Sequence, residues 1–363
     1  MKKFILSGCD LHDNSMLVKV ACGTEAPQKR SFENTPEGRK ALIAELQRRG
    51  KAAGGAQVVF AYEASGQGFG LHDELQDAGI TCHVLAPTKM ECSAKHRRNK
   101  TDEKDADRVL DVVRGHYLAG NELPSVWVPD PQTRDDRETV RARLDAQDKC
   151  SLVKAQIRAG LKRNGLRKRK AAGAGWTKAY RRWLQALSEC DEPLQHGARQ
   201  ALASLLRQLQ HLEQEVQTLD QELVALAQTE RYAAKVQQLA QTFKGVGVIT
   251  ALVFLTEMGD LSRFHNRRQV GAYLGLVPSS DESGEATDRK GHITHQGPAR
   301  VRYVLCQAVW NRVRYDQRER AVYERIAAKN PKHKKIAVVA AMRRLAVHMW
   351  HAASAVRGHT AAG

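Results

Sequence analysis

Phe4-Ile5-Leu6-Ser7-Gly8-Cys9-Asp10 and Gln57-Val58-Val59-Phe60-Ala61-Tyr62-Glu63 are two β-rich runs, each closed by a carboxylate. The signals around them set the fold class. Met16 to Cys22 and Gln28 to Phe32 read as further strands, and Pro36 opens a helix that Gly50 can close. Phe69 to Ala78 reads as a helix ending at Gly79, Thr81 to Leu85 as a strand, and Asp102 to His116 as a helix. Three strands followed by a β-α-β-α alternation predict a layered α/β sheet.

The order of these elements resembles the ribonuclease-H-like fold. If the strands ending at Asp10 and Glu63 are parallel neighbours, as in such a sheet, both acids emerge at one edge. Asp102 and Asp105 are three apart and share a helix face. Four carboxylates gathered in this way repel one another unless cations neutralise them, and hard oxygen ligands suit Mg²⁺, with Mn²⁺ as the alternative. Two ions about 3.5–4 Å apart clamp the attacking and leaving oxygens of a phosphodiester. Taken singly, each acid reads more readily as a solvated side chain, and Asp13, Asp107 and Asp111 lie close by. The combination is what points to chemistry. The turn Ser65-Gly66-Gln67-Gly68-Phe69-Gly70 has no Gly-Lys-Ser/Thr after it and reads as the start of a helix rather than a phosphate loop.

At 363 residues the chain is too long for one ordinary core. With 42% hydrophobic and 27% charged residues it is neither disordered nor collagen-like. No apolar run approaches the roughly 18 residues of a membrane span. Lys2-Lys3 and three apolar residues ahead of Ser7-Gly8-Cys9 are too few for an export signal. Seven cysteines, never spaced Cys-x-x-Cys, encode neither a zinc knuckle nor a disulfide framework and suit a reducing cytoplasm. A formal net charge of +18 asks for a polyanionic partner, nucleic acid first of all.

That charge is concentrated. Residues 1–130 are neutral overall, 131–195 carry +8, 196–240 carry −1 and 241–363 carry +11. The expected division is an α/β domain over 1–130, a basic helical and coiled-coil linker over 131–240, a mainly helical domain over 241–356 and a flexible tail over 357–363. Pro124, Pro129 and Pro131 punctuate the first boundary, and helical periodicity then returns through Val140, Leu144, Val153, Ile157 and Leu161. The cluster Lys162, Arg163, Arg167, Lys168, Arg169 and Lys170 follows, a place to hold phosphate backbone. Trp176, Tyr180 and Trp183 stack on bases or pack a helix, with packing favoured.

Leu202, Leu205, Leu209, Leu212, Val216, Leu219, Leu223 and Leu226 alternate spacings of three and four. This seam predicts a coiled coil, between protomers or folded back on residues 140–161. Two glycines, Gly245 and Gly247, then precede an apolar helix ending near Gly259-Asp260, a helix-hairpin-helix-like start that offers an anion site or simply a tight turn. A loop rich in Ser and Gly around Ser283, followed by Arg300 and Arg302, could supply a hydroxyl nucleophile and the cations to hold its phosphate.

Asp10; Tyr62-Glu63-Ala64-Ser65-Gly66; Lys100-Thr101-Asp102-Glu103-Lys104-Asp105-Ala106; the turn Gly245 to Gly247; Gly259-Asp260; Ala272 to Pro278; Ser283-Gly284; and Gly291 to Arg302 together resemble the DEDD transposases of insertion sequences, the IS-one-ten family. The resemblance spans nearly the whole chain. It implies an N-terminal RuvC-like domain with Asp10, Glu63, Asp102 and Asp105 as a metal-binding tetrad, and a C-terminal domain with Ser283 as nucleophile. It further implies recombination of donor and target DNA through a 5′-phosphoserine link, guidance by a structured noncoding RNA, and a composite site in a homo-oligomer, a dimer or tetramer, in the cytoplasm near the nucleoid. His295 stands where the family usually has Lys, and Pro298 where it has Asn. Two other readings stay open: a RuvC-like junction endonuclease that uses water, with Ser283 incidental, and a nonenzymatic nucleic-acid-binding protein.

Overall fold

The computed structural model describes residues 3–90, 101–167, 175–280, 290–329 and 331–356, and the chain divides into two compact units, Met1–Val128 and Pro129–Gly363. In the first unit, β1 (Phe4–Leu11), β2 (Ser15–Cys22), β3 (Gln28–Glu33), β4 (Gln57–Glu63) and β5 (Thr81–Leu85) form one sheet in the order β3-β2-β1-β4-β5. Connection length sets the pairing. Short turns join β1 to β2 and β2 to β3, and those pairs are antiparallel. Crossovers through α1 (Pro36–Ala52) and α2 (Gly70–Asp77) make β1/β4 and β4/β5 parallel.

Alternation along β4 distributes its side chains between two cores. Phe60 and Tyr62 pack with Leu42, Leu46, Leu71 and Leu75, whereas Val59 and Ala61 pack with Leu6, Val109, Leu110 and Val113 of α3 (Asp102–Ala119). The mixed α/β sheet with flanking helices is the predicted one. Two boundaries differ from the reading of the sequence. β1 continues to Leu11, so Asp10 lies within the strand, opposite Leu17 of β2, because the ladder extends to the turn. Pro131 begins a helix instead of punctuating a linker: Asp130 caps it by accepting from the Thr133 amide, and proline suits the first helical position.

The second unit is mostly helical. α4 (Pro131–Arg163), α5 (Lys178–Glu189) and α6 (His196–Gln228) enclose a core in which Leu202, Leu209 and Val216 meet Cys150, Val153, Ile157 and Leu161. Arg143 pairs with Asp220 at 2.7 Å and Lys154 with Glu213 at 2.8 Å, so α4 and α6 run antiparallel. The leucine seam is thereby covered from within the chain. Tyr180 is buried there, with Trp176 and Trp183 at ring-centroid distances of 5.2 and 5.6 Å, which favours packing over base stacking for this aromatic group.

The remaining elements are α7 (Ala233–Thr242), α8 (Val248–Met258), α9 (Arg267–Tyr273), the hairpin of β6 (Pro278–Ser280) and β7 (Lys290–Ile293), α10 (Ala299–Tyr315), α11 (Gln317–Lys329) and α12 (Lys334–Ala355). α8 is buried on all sides from Ala251 to Met258 and forms the axis of this core. Gly245, between α7 and α8, has φ 81° and would set a Cβ 3.1 Å from the Ala308 carbonyl, so the turn and the close approach of α10 both require glycine. Among the described residues no helix is long and apolar enough to cross a membrane.

Candidate functional site

The site is assembled by the parallel register of β1 and β4. Cys9 pairs with Tyr62, so Asp10 and Glu63 follow at the same end of neighbouring strands. α3 reaches that end because Gly8 has no side chain: a Cβ there would lie 2.3 Å from the Leu110 amide nitrogen and 2.5 Å from the Ala106 carbonyl oxygen. The helix is capped by Thr101, whose hydroxyl accepts from the Lys104 amide, and its first turn carries Asp102, Glu103 and Asp105. Acids there are favoured by the helix dipole.

Asp10, His12 and Asp102 converge, with one potential ligand atom from each lying within 4.8 Å of the others. His12 Nε2 is 3.1 Å from Asp10 Oδ2 and 3.6 Å from Asp102 Oδ1. The Asp10 carboxyl is held above the ordinary aspartate range: burial raises it, His12 opposes, and the charges of Asp105 and Asp102 raise it further. Asp105 therefore acts on Asp10 through its field. Glu63 stands at the end of β4 with the Arg108 guanidinium 3.7 Å from its Oε1, and Arg108 also donates to the Met90 carbonyl. The structure thus brings Asp10 and Asp102 together with a histidine between them and sets Glu63 beside an arginine.

Carboxylates whose charges raise the proton affinity of Asp10 offer the oxygen donors that a hard divalent cation fits. His12 adds a nitrogen donor that the sequence reading did not single out. Its signal was its place two residues after Asp10, on the turn that follows the strand. A second arrangement braces the helix. Lys19 of β2, nearly buried, lies 3.1 Å from Glu103 and 3.4 Å from Asp107, and Lys29 lies 3.5 Å from Glu103. Burial works against the Lys19 charge, but its bonds to Glu103 and Asp107 outweigh that and raise its pKa. A cleft of about 590 Å³, lined by His12, Asp13, Asn14, Ser65, Gly66 and Gln67, opens beside the acids, and Gln67 donates across it to Asp13.

The expected nucleic-acid contacts divide into two groups. Lys162, Arg163 and Arg167 are exposed at and just beyond the C-terminus of α4, and Lys168, Arg169 and Lys170 lie outside the described residues. Arg300 instead pairs with Asp145 at 2.8 Å. Arg302 Nη1 donates to the carbonyls of Leu274, Gln296 and Gly297, fastening the chain on both sides of the β6–β7 hairpin. Ser283 lies outside the described residues, as does the tail 357–363.

A family model described as a transposase with the DEDD domain matches residues 8–164, and one described as the transposase IS116/IS110/IS902 family matches residues 237–324. The chain is 33% identical over 253 residues to "Putative transposase y4qE" of Sinorhizobium fredii, an alignment covering 70% of this chain and 58% of that protein. It is 29% identical over 284 residues to a second Sinorhizobium fredii protein, "Putative transposase y4rJ", covering 74% and 70%. It is 25% identical over 320 residues to the transposase for insertion sequence element IS1533 of Leptospira borgpetersenii, covering 85% and 86%. The chain thus spans less than two thirds of the length of the y4qE protein.

Proposed function

The chain belongs to the IS116/IS110/IS902 family of transposases, and from that premise we propose that it cuts and rejoins DNA strands for an insertion sequence. The observation that carries the reading is the convergence of Asp10 and Asp102 across the Gly8–α3 contact, with Asp105 acting on Asp10 and Glu63 at the matching end of the parallel neighbour. Asp10, Glu63, Asp102 and Asp105 would hold Mg²⁺, or Mn²⁺, and such an ion supplies Lewis acidity to a phosphodiester. His12 orients the Asp10 carboxylate through their hydrogen bond.

Ser283 is the nucleophile in this reading. Its Oγ forms a bond to phosphorus as the bond from phosphorus to the 3′-oxygen breaks. The serine proton is lost to solvent or a base, and the departing 3′-oxygen takes one up. Attack by another strand's 3′-hydroxyl reverses the step and releases the serine, so no external energy source is needed. Exposed Lys162, Arg163 and Arg167, continuing into Lys168, Arg169 and Lys170, hold backbone phosphates of DNA or of a structured guide RNA. The protein works in the cytoplasm as a homo-oligomer.

The test is a denaturing gel of protein incubated with labelled element-end DNA and Mg²⁺. A band in which DNA stays attached to the protein, lost in Ser283→Ala, supports the serine link. Strand cleavage that persists in Ser283→Ala without such a band assigns the chain to water-dependent junction cleavage. Binding with no cleavage in any divalent ion leaves a nonenzymatic nucleic-acid-binding protein.

A further inference from the structure

Exposed apolar side chains grouped on one surface mark interaction sites, and α10 carries several exposed aromatic rings. Tyr303 is 47% exposed and Trp310 46%. They are seven residues apart, on one face of the helix and about 10 Å apart along it at ~1.5 Å per residue. Arg314 follows one turn beyond Trp310, its guanidinium 5.4 Å from the ring of Tyr315, which is 67% exposed. Trp310 is anchored on one side by Tyr323 of α11, at a ring-centroid distance of 5.8 Å, and Tyr323 itself packs against the core. A groove lined by Trp310, Val313, Arg314, Arg320, Tyr323 and Glu324 lies between the two helices.

Charge chooses the occupant. Residues 299–335 carry eleven Lys and Arg against three Asp and Glu. Of those three acids, Glu319 is engaged by Arg312 and Arg344, Asp316 accepts from the Arg318 and Glu319 amides at the start of α11, and Glu324 is exposed at the groove, where Arg314 and Arg320 outnumber it. A protein partner would have to bring a matching set of carboxylates to a face whose central features are flat rings. A DNA duplex presents phosphates but keeps its base faces stacked away from those rings. An unpaired strand offers both phosphates and free base faces.

We propose that Tyr303, Trp310 and Arg314 form a stacking platform for an unpaired DNA strand, Trp310 taking a base and Arg314 the adjoining phosphate. The inference rests on the reading of the chain as a DNA-cutting enzyme and names a surface of the second unit where a separated strand is held.

Fluorescence anisotropy of the full chain with labelled oligo-dT, a duplex of the same length and oligo-rU tests it. Trp310→Ala is expected to weaken oligo-dT binding at least about fivefold, in keeping with the loss of one stacked base, and duplex binding less than twofold. Trp310→Phe restores most of the affinity, and Arg314→Gln lowers the salt dependence on oligo-dT by about one phosphate contact. Tyr303→Ala carries the same test on a second exposed ring if Trp310→Ala lowers the melting temperature. Equal losses on strand and duplex, or no loss, overturn the platform. So does a Trp310-dependent preference for oligo-rU, which assigns the surface to RNA, or a concentration-dependent dimer mass lost in Trp310→Ala, which assigns it to a second copy. Wild-type protein that binds duplex alone defeats the platform and leaves the enzymatic reading standing, whereas wild-type protein that binds neither defeats both.

Discussion

Gly8 and Ala106 approach so closely that a Cβ on the glycine would lie 2.5 Å from the alanine carbonyl oxygen, nearer than real side chains come. This contact joins β1 to α3. Asp10 is two residues beyond Gly8, and Asp102 and Asp105 lie on the turn before Ala106, so the glycine sets how near the acids come to one another. The atoms it would meet are backbone, which cannot rotate away as a side chain would.

Gly8→Ala is therefore expected to displace α3 and cost about 1–3 kcal/mol, the usual penalty for overpacking. Thermal melting reads the stability, and strand cleavage is expected to fall far more than the melting temperature alone accounts for. Unchanged cleavage in a normally folded Gly8→Ala protein would mean that the spacing of β1 and α3 does not set the chemistry.

Asp10→Asn separates stability from chemistry. Without metal, Asp10 sits beside two other carboxylates and is partly buried, so its negative charge opposes folding. Because its pKa is raised in the folded state, stability falls as pH rises from the unfolded value near 3.8 through the folded one. In chelator at neutral pH the amide variant is expected to melt higher than wild type, with the difference closing below about pH 3.8, while in Mg²⁺ its cleavage of DNA is abolished. A lower melting temperature at neutral pH would contradict the repulsion.

Glu213 joins the helices of the second unit. Its carboxyl is held below the ordinary range by its hydrogen bonds to Arg181, with burial opposing and Lys154 adding to the lowering. A lowered folded pKa supplies stability above the unfolded value near 4.5 that is lost as pH falls through the folded one. Glu213→Gln should cost about 1 kcal/mol at neutral pH, since Arg181 is 42% exposed and water screens the pair. Melting curves across pH 3 to 8 are expected to converge at the acid end; a constant gap would place the effect in packing.

Arg302 and Arg167 answer different questions. Arg302 donates to three backbone carbonyls, so Arg302→Met is expected to lower the melting temperature and leave the salt dependence of DNA binding nearly unchanged. Arg167 is exposed, and Arg167→Gln is expected to do the reverse, reducing the slope of log affinity against log salt by about 0.9. Parallel melting and salt-titration experiments distinguish the two, and a changed slope in Arg302→Met would return that residue to the DNA interface.

The order of strands and helices in the first unit was legible because burial leaves its mark on the residues: a continuous apolar run from Val58 to Tyr62 in a strand covered on both faces, apolar spacing in the helices, and Pro and Gly at their ends. The candidate acids were marked by position, Glu63 at the end of β4 and Asp102 and Asp105 at the start of α3, whereas Asp10 lies one residue inside the end of β1. His12 was not, since a histidine after a strand carries no mark of what it will face. Nor could the sequence show that Arg302 donates to backbone carbonyls, because a cation that fastens carbonyls and one that meets phosphates look alike in sequence.

By itself, the sequence determined the α/β character of the first unit, the helical character of the second and the candidate acids, all of which follow from local periodicity and residue type. Tertiary structure alone decided that the leucine seam of α6 closes on α4, that His12 joins Asp10 and Asp102, and which arginines are engaged by backbone or carboxylate. These are matters of distance between residues far apart along the chain. A repeating pattern says that a surface must be covered; only the folded chain, weighing shape and charge at every contact, settles what covers it.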